Sequence, residues 1–314
     1  MTRTPTILAL LLVLSAPALA RKPRHGAKPK SAAAAQTASV PANLHGIQYL
    51  YGSAEAAALT RQSWRMLADY VGMEIAIGDR KSVVLASDAT LANPRFVECR
   101  DKPPAIVLDV DETAILNLGA EYDDLVAQRP GFDPAAWDRW EKQGANFVVA
   151  APGAKEALDR VRNVGVTVIF NSNRAAANAA ATEDALVGVG LGPAKHGETL
   201  FLRGDDGTDS AKDGRRATIA SHYCVLAMAG DQLVDFSDRF TTEPATVAER
   251  RAIADYPGIA SLWGAGWFVM PNPVYGKALQ GDADDIFPKD KQWRDPGPTR
   301  GPAIPVPTVT KAKQ

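Results

Sequence analysis

Short apolar runs alternate with helical patterns along the central part of the chain. The runs occupy residues 105–108, 166–170, 199–202 and 223–229, the third being the weakest. Continuous apolar runs of this length are typical of strands that are buried on both faces. Strands that alternate with helices indicate βαβ units, which build a parallel sheet covered by helices on both faces. The sequence therefore predicts a three-layer α/β fold.

The helical patterns begin and end at recognisable residues. Apolar positions share one helix face over residues 53–71, which begin with Ser53, a suitable N-terminal cap. Asp133 and Pro134 open another helix in the same way. Further helices are predicted over residues 152–163, up to Val187 and over residues 213–222. Residues 85–96 are predicted to form a short helix or a loop.

Both ends of the chain differ from the rest. Residues 1–20 combine a basic residue, a short apolar run and an Ala18-x-Ala20 motif, which predicts a signal peptide cut after Ala20. Residues 21–43 are basic and Ala-rich without an apolar period and are predicted to be a disordered tether. Residues 286–314 form a Pro-rich tail. One domain over residues 44–285, with an insertion or cap at 117–150, remains between them.

Composition narrows the cellular context and the partners. The chain is 46% hydrophobic and 23% charged, as in soluble globular proteins, and both of its ends are basic while its centre has an acidic excess. An acidic body argues against a nucleic acid polymer as the partner. No later apolar run is long enough to span a bilayer. We therefore expect a periplasmic or secreted protein without a membrane anchor after signal cleavage.

The chain contains two cysteines, Cys99 and Cys224. An oxidising compartment permits them to pair. Cys99 precedes the first predicted strand and Cys224 lies at the start of the fourth, so a disulfide between the N-terminal ends of two adjacent strands is one interpretation. Two buried free thiols are the other, and the sequence leaves both open.

Polar residues follow three of the predicted strands. They are Asp109, Asp111 and Thr113 after the first, Ser172, Asn173 and Arg174 after the second, and Asp231 and Asp235 after the fourth, with Lys212 opening a helix between the last two sets. The carboxyl ends of parallel strands share one edge of the sheet, where ligands bind. Carboxylate oxygens suit Mg²⁺, and a hydroxyl, an amide and an ammonium group suit the oxygens of a phosphate.

These motifs resemble those of the haloacid dehalogenase superfamily of phosphotransferases, which carry DxDxT, a Ser or Thr after the second strand, a Lys and GDxxxD. More narrowly, DVDETAILN, SNR and GDQLVDF are similar to motifs of the bacterial class C acid phosphatases, as are QYLYGSAE and PGA. The resemblance covers residues 46–275. It implies a Rossmann-like parallel sheet with a small cap insertion, and a small-molecule phosphomonoester as substrate.

The resemblance assigns the reacting groups. Asp109 would be the nucleophile that becomes an aspartyl-phosphate. Asp111 would be the general acid for the leaving group and then the base that activates water. Ser172 would bind a phosphoryl oxygen with Asn173 beside it. Lys212 would hold both the phosphoryl group and Asp109.

It also assigns a magnesium site. Asp109, Asp231 and the backbone carbonyl of Asp111 would be ligands of Mg²⁺. Thr113 would orient Asp111 and the loop, next to the bound substrate. Asp235 would support the metal through water or as a partner of its ligands.

The implied function is that of an exported, Mg²⁺-dependent acid phosphatase, acting on aryl phosphates or on 5′-nucleotides. The sequence departs from the family pattern at Ala177, where an acidic residue is usual, and lacks the lipidated Cys of well-known members. A catalytically silent relative that binds or stores a ligand, and a phosphotransferase that uses the same site, are the alternatives. Whether the protein forms a homodimer is left open.

Several other residues allow two interpretations each. Trp137 and Trp140 share a helix face, either in the core or as a lid that stacks on an aromatic leaving group. Arg174 either touches phosphate or forms a structural ion pair. Arg215 and Arg216 lie either on a solvated helix face, which is the prediction, or in a substrate clamp.

Overall fold

The computed structural model describes residues 43–242 and 245–295. Its centre is a parallel five-stranded sheet whose order is β5-β4-β1-β6-β7. The strands of this sheet are β1 Pro104–Leu108, β4 Thr167–Ala175, β5 Leu200–Arg203, β6 Cys224–Gly230 and β7 Trp267–Val269, and a small antiparallel ribbon pairs β2 Ile115–Leu116 with β3 Val149–Ala150. The predicted α/β class is confirmed.

Helices flank the sheet. They are α1 Leu44–Gly52, α2 Ala54–Ile77, α3 Leu118–Ala127, α4 Pro134–Gln143, α5 Ala154–Asn163, α6 Ala179–Gly188, α7 Asp213–His222, α8 Arg239–Thr242, α9 Val247–Ile253 and α10 Ala283–Ile286. Helices α3 and α4 belong to the insertion between β2 and β3. The ribbon thus closes the base of the segment that is predicted to be a cap.

The two faces of β1 belong to two different hydrophobic clusters. Ile106 and Leu108 pack with Trp64 of α2, whereas Ala105 and Val107 pack with Ile219 of α7. Successive side chains of a strand point to opposite faces, so a strand that contributes to both clusters must be apolar at every position. This requirement explains the uninterrupted run that identified β1 in the sequence.

Local signals placed most element boundaries correctly. Ser53 caps α2, since its hydroxyl accepts a hydrogen bond from the Ala56 N–H at 3.1 Å, and Asp133 caps α4. Helix α2 continues to Ile77, beyond the predicted residue 71, and ends at Gly78 in the left-handed conformation. Residues 85–96 form a loop that an antiparallel bridge between Leu85 and Phe96 closes, so the loop alternative is the correct one.

Strand β7 was absent from the sequence interpretation. It is only three residues long, and it pairs with β6 from Met228 to Gly230. Three residues are too few to show a period, so pairing with β6 identifies this strand better than its own sequence does.

Cys99 and Cys224 form a disulfide, which settles the alternative that the sequence left open. Cys224 is the first residue of β6 and lies opposite Pro104 of the neighbouring β1. The bond therefore joins the N-terminal ends of two central strands, at the edge of the sheet opposite to their polar carboxyl ends.

The predicted signal peptide, nearly all of the tether and residues 296–314 of the tail lie outside the described residues. The described part of the tail, residues 286–295, is exposed apart from half-buried Gln292. Among the residues that the structure describes, no helix has the length and apolar character needed to cross a membrane.

Candidate active site

The polar residues predicted at the strand ends meet at one edge of the sheet. Leu108 lies opposite both Phe170 of β4 and Ala229 of β6, so the residues that follow these three positions emerge together. The Asp109 N–H donates to the carbonyl of Ala229 at 2.9 Å, which extends the pairing one residue further.

Three carboxylates form a compact acidic cluster at this edge. Asp109, Asp231 and Asp235 are all buried, and one oxygen from each lies within 4.8 Å of the others. Burial, with Asp235 adding to it, raises the pKa of Asp231 to about 7. Burial also raises the pKa of Asp109 well above its usual range, although the adjacent Lys212 opposes this effect.

The donor set fits a hard divalent cation. Carboxylate oxygens are the ligands that Mg²⁺ prefers, and a cation would relieve the repulsion between these buried anions. Asp235 belongs to the same cluster as Asp109 and Asp231, so its carboxylate is close enough to bind the same cation directly, whereas the sequence predicted only a supporting role for it. The Asp111 side chain lies outside the cluster, which leaves its backbone carbonyl as the predicted ligand.

Lys212 connects the cluster to helix α7. Its ammonium group forms ion pairs with Asp109 and with Asp235, the latter at 2.6 Å, and the side chain is buried. Asp238, from the loop after β6, accepts hydrogen bonds from the backbone N–H groups of Lys212 and Asp213. These contacts fix the start of α7 and with it the position of the lysine.

The Asp111 carboxylate is held on the side of the insertion. The Arg174 guanidinium forms an ion pair with it at 2.8 Å, and Asn117 donates to it at 2.9 Å. The Ser172 hydroxyl lies 3.5 Å away. Arg174 is itself buried, so the structure favours the ion-pair interpretation of this residue.

Asp231 is held by side chains from three parts of the chain. The Thr113 hydroxyl donates to it at 3.1 Å, the Asn272 amide at 2.7 Å and the Gln232 amide at 2.8 Å. Thr113 is fully buried, so its hydroxyl supports the acidic cluster; its contact with substrate stays a prediction. Sequence reasoning missed Asn272, since nothing near residue 272 signals a link to the strand ends.

The glycine of the GDxxxD motif is required by packing. A Cβ atom at Gly230 would overlap the side chain of Asp235. Asp235 accepts a hydrogen bond from the Gln232 N–H at 2.9 Å, which folds the loop back onto the end of β6. The spacing of the two aspartates is therefore set by one tight turn.

Glu112 is a second residue that sequence reasoning missed. It is buried with φ at +52°, a conformation that few side chains adopt without compensation. The hydroxyls of Tyr51 and Tyr275 donate to its carboxylate at 3.0 and 2.5 Å, and the Asn117 N–H donates at 2.8 Å. Its position in the sequence, between Asp111 and Thr113, was the signal that could have identified it as a site residue.

Ser172 and Asn173 lie at the end of β4, beside Asp111 and Lys212. The Ser172 hydroxyl accepts a hydrogen bond from the Arg174 N–H at 3.0 Å. The Asn173 side chain is used inside the protein, because its Nδ2 donates to the carbonyl of Ser210 at 2.9 Å and its Oδ1 accepts from Arg215 at 2.6 Å. Substrate binding by Asn173 stays a prediction.

The prediction of a solvated face for Arg215 and Arg216 is wrong. Both are at most 1% exposed. The two residues follow a helix start that lies against the strand ends, so their side chains enter the interior and bind loop carbonyls and carboxylates there.

The insertion carries an aromatic cavity of about 430 Å³. Phe132, Trp137, Trp140 and Phe147 line it, together with Arg129. Both tryptophans are half-buried, and Trp140 packs against the hydrophobic cluster that contains Leu108, so core packing applies to Trp140 while the lid interpretation of Trp137 stays a prediction. The Trp140 indole donates to Asn117 at 3.2 Å, and the Arg174 guanidinium lies 6.0 Å from the Trp137 ring. Asn117 and Arg174, which bind Asp111, thus also contact the wall of the cavity.

Residues 37–278 match the family described as HAD superfamily, subfamily IIIB (acid phosphatase). The chain belongs to this family. The resemblance stated from the motifs is confirmed, and the enzyme class is that of a phosphomonoesterase.

Solved structures agree on the fold. The class C acid phosphatase from Bacillus anthracis is 23% identical, with a TM-score of 0.60 over 78% of this chain and 93% of that one. The same class of enzyme from Bacillus anthracis with tungstate bound is 23% identical, with a TM-score of 0.61 over 79% and 94%. No curated protein sequence matches the chain at a significant level.

Glu121, on α3 of this acid phosphatase, gives a pH-dependent prediction. Burial, then Glu112 and Asp124, raises its pKa from 4.5 to about 8. The folded protein therefore holds this proton more tightly than the unfolded chain, and its stabilising effect is lost as the pH rises from about 4.5 through 8. Glu121→Gln mimics the neutral form, so we expect it to raise the free energy of unfolding at pH 8.5 by roughly 1–3 kcal/mol.

Urea denaturation at pH 5 and pH 8.5 measures this difference. The variant and the wild type should be equally stable at pH 5, and the exposed Glu156→Gln should change neither value. Equal stability of Glu121→Gln and wild type at pH 8.5 would contradict the assignment of a buried neutral carboxyl.

Proposed function

We propose that the protein is an exported, Mg²⁺-dependent acid phosphatase that hydrolyses phosphomonoesters, including 5′-nucleotides, through an aspartyl-phosphate. The observation that carries this proposal is the convergence of Asp109, Lys212 and the Asp231–Asp235 pair at one sheet edge. The Asp109 carboxylate can act as the nucleophile, and the Lys212 ammonium group attracts an anionic substrate. The other two carboxylates can hold a divalent cation that offsets their own negative charge.

In the proposed first step, a carboxylate oxygen of Asp109 forms a bond to phosphorus while the bond between phosphorus and the leaving oxygen breaks. Asp111 gives its proton to that oxygen. In the second step, water attacks phosphorus, Asp111 takes a proton from the water and Asp109 leaves as a carboxylate. The contact of Lys212 with Asp109 supports this assignment, because the ammonium group favours the ionised nucleophile.

Asp109, Asp231 and the backbone carbonyl of Asp111 would hold the Mg²⁺, with Asp235 at or beside the ion. When bound there, the cation would neutralise charge on the phosphoryl group and act as a Lewis acid. Asn272, Gln232 and Thr113 orient the Asp231 carboxylate through their hydrogen bonds. A class C acid phosphatase of similar fold has been solved with tungstate bound, and the binding of an oxyanion by such an enzyme is consistent with the role proposed for Ser172.

The aromatic cavity supports an aryl or nucleoside leaving group. An aromatic base stacks well on exposed rings, and each stacked base contributes on the order of 1–3 kcal/mol. Phe132 is 74% exposed at this cavity and lies 6.2 Å from the Trp137 ring. A large apolar ring exposed at a site wall is more easily explained by a ligand than by packing.

Hydrolysis of p-nitrophenyl phosphate and of a 5′-nucleotide between about pH 5 and 7.5 tests the function. We expect turnover of both substrates with Mg²⁺ and a loss of turnover with EDTA. Adding an alcohol as competing acceptor distinguishes hydrolysis from phosphoryl transfer, which would give a phosphorylated alcohol. A folded, metal-loaded protein that turns over neither substrate would contradict the proposal and favour a binding role.

Phe132→Ala tests the leaving-group site. We expect kcat/KM for a 5′-nucleotide to fall by about 5- to 10-fold, since one stacking contact is lost. Glycerol phosphate has no ring to stack, so its kcat/KM should stay within about twofold. Phe287→Ala is the matched control, because Phe287 is also exposed but lies outside the cavity. An equal loss for both substrates would exclude a nucleotide-specific role of this ring.

Export is proposed from the sequence of residues 1–20, which lie outside the described residues. Sequencing the N-terminus of the mature protein would check it. A chain that begins at Arg21 is expected, and a chain that retains Met1 after expression in the native host would contradict the proposal.

A further inference from the structure

Helix α7 directs three cationic side chains into the protein from its first turn. Lys212 reaches the acidic cluster, and Arg216 reaches Asp213, Asp238 and the backbone carbonyl of Asp235. Arg215 extends in another direction, toward the end of β4. Each of the three thus binds a different group at the carboxyl edge of the sheet, and only Lys212 has a role in the proposed reaction.

Arg215 holds the two residues of β4 that are predicted to bind phosphate. Its guanidinium donates to the backbone carbonyl of Ser172, to Oδ1 of Asn173 at 2.6 Å and to the carbonyl of Ala211 at 2.9 Å. Ala211 immediately precedes Lys212. One planar group therefore fixes the end of β4 and the residue before Lys212 with respect to each other.

The burial of Arg215 is not explained by an ion pair. The side chain is 0% exposed, and no carboxylate among the described residues lies within ion-pair distance of it, although Asp206, Asp205 and Asp109 attract it from further away. Arg216, its neighbour, has two such carboxylates. A buried guanidinium that makes no direct ion pair is costly to desolvate, so stability alone does not explain why an arginine occupies this position. An anion at the adjacent strand ends would offset this cost.

We propose that Arg215 is a positioning residue for the phosphoryl-binding end of β4, acting through Ser172 and Asn173. The inference rests on the proposed function, because it takes from it the phosphate contacts of Ser172 and Lys212. The guanidinium sets the spacing between these two groups, and its positive charge adds to the attraction for a phosphate dianion. Lys at this position keeps the charge but loses the planar donor geometry.

Steady-state kinetics of Arg215→Lys tests this inference. A small displacement of a positioned group costs up to about 100-fold in rate, so we expect kcat/KM to fall by about 10- to 100-fold. The loss should be equal for p-nitrophenyl phosphate and for a 5′-nucleotide, because the phosphoryl group is the part they share. The inhibition constant of tungstate should rise about tenfold or more.

Arg162→Lys is the matched control. Arg162 also donates to a backbone carbonyl, that of Leu191, but it lies near the end of α5, which precedes β4 and so lies at the opposite edge of the sheet. This variant should retain wild-type kinetics. If Arg215→Lys lowers the melting temperature while its kcat/KM and its tungstate inhibition equal those of the wild type, Arg215 is only structural and the inference fails.

Asn173→Ala completes a double-mutant cycle. Because Arg215 acts partly through the Asn173 side chain, the double variant should be less impaired than the product of the two single effects. Strictly multiplicative losses would overturn this route.

An inactive wild type would instead overturn the proposed function. Calorimetric titration with tungstate then tests Arg215 without turnover, a weaker affinity in Arg215→Lys supporting the inference and an unchanged one overturning it.

Discussion

Replacing Asp109 by Asn is expected to reduce kcat on p-nitrophenyl phosphate by about 10⁴-fold or more. The change removes the nucleophilic oxygen while keeping the shape of the side chain. The fold should survive, because Asp109 lies among buried carboxylates whose mutual repulsion the substitution lowers. The contact with Lys212 is the one favourable interaction that weakens.

Initial rates, together with thermal melting of the same samples, measure this effect. Asp159→Asn is the matched control, since Asp159 is paired with Lys155 on the surface of α5. The control should keep full activity. An Asp109→Asn protein that melts like the wild type and keeps more than about a tenth of its activity would exclude the aspartyl-phosphate mechanism, whatever the metal requirement turns out to be.

Removing divalent metal is the second large effect that we expect. Chelation should lower kcat by about 10³-fold or more, and Mg²⁺ should restore it. Melting temperature provides an independent readout, since a ligand that binds only the folded state at 100 times its Kd stabilises it by about 2.7 kcal/mol. For a domain of this size, that corresponds to a rise of roughly 5–10 °C.

The Asp231→Asn variant connects this effect to the acidic cluster. It should lose most of the Mg²⁺-dependent rise in melting temperature, whereas Asp159→Asn should keep all of it. The metal-free variant should be at least as stable as the metal-free wild type, because it has one fewer buried carboxylate. Full activity after exhaustive chelation, or an unchanged Mg²⁺ response in Asp231→Asn, would contradict the proposed cation site.

The insertion and Asp111, the proposed acid–base residue, are connected by a few contacts. Arg174 binds Asp111 and lies beside Trp137, and Asn117 binds both Asp111 and Trp140. The residues that line the aromatic cavity therefore also touch the partners of Asp111, the group that is proposed to protonate the leaving oxygen. This arrangement places the proposed leaving-group binding and proton transfer in one connected set of side chains.

The sequence alone was enough to predict four of the five strands of the sheet and the polar residues that meet at its carboxyl edge. A strand such as β1 must be apolar at every position to be buried on both faces, and its carboxyl end must lie beside those of its parallel neighbours. The positions of Asp109, Asp231 and Lys212 near each other follow from these two local facts. The family pattern then added expected chemical roles to residues whose convergence the predicted parallel sheet had already implied.

The side chains that support Asp109, Asp231 and their neighbours are visible only in the tertiary structure. Tyr51 and Tyr275 meet at Glu112 although 224 positions separate them along the chain, and Asn272 reaches Asp231 from a loop with no motif of its own. Buried Arg215 was misjudged because adjacent charges on a helix usually face solvent. Periodicity records which face of an element is buried; it carries no information on which distant side chain fills the space beside it.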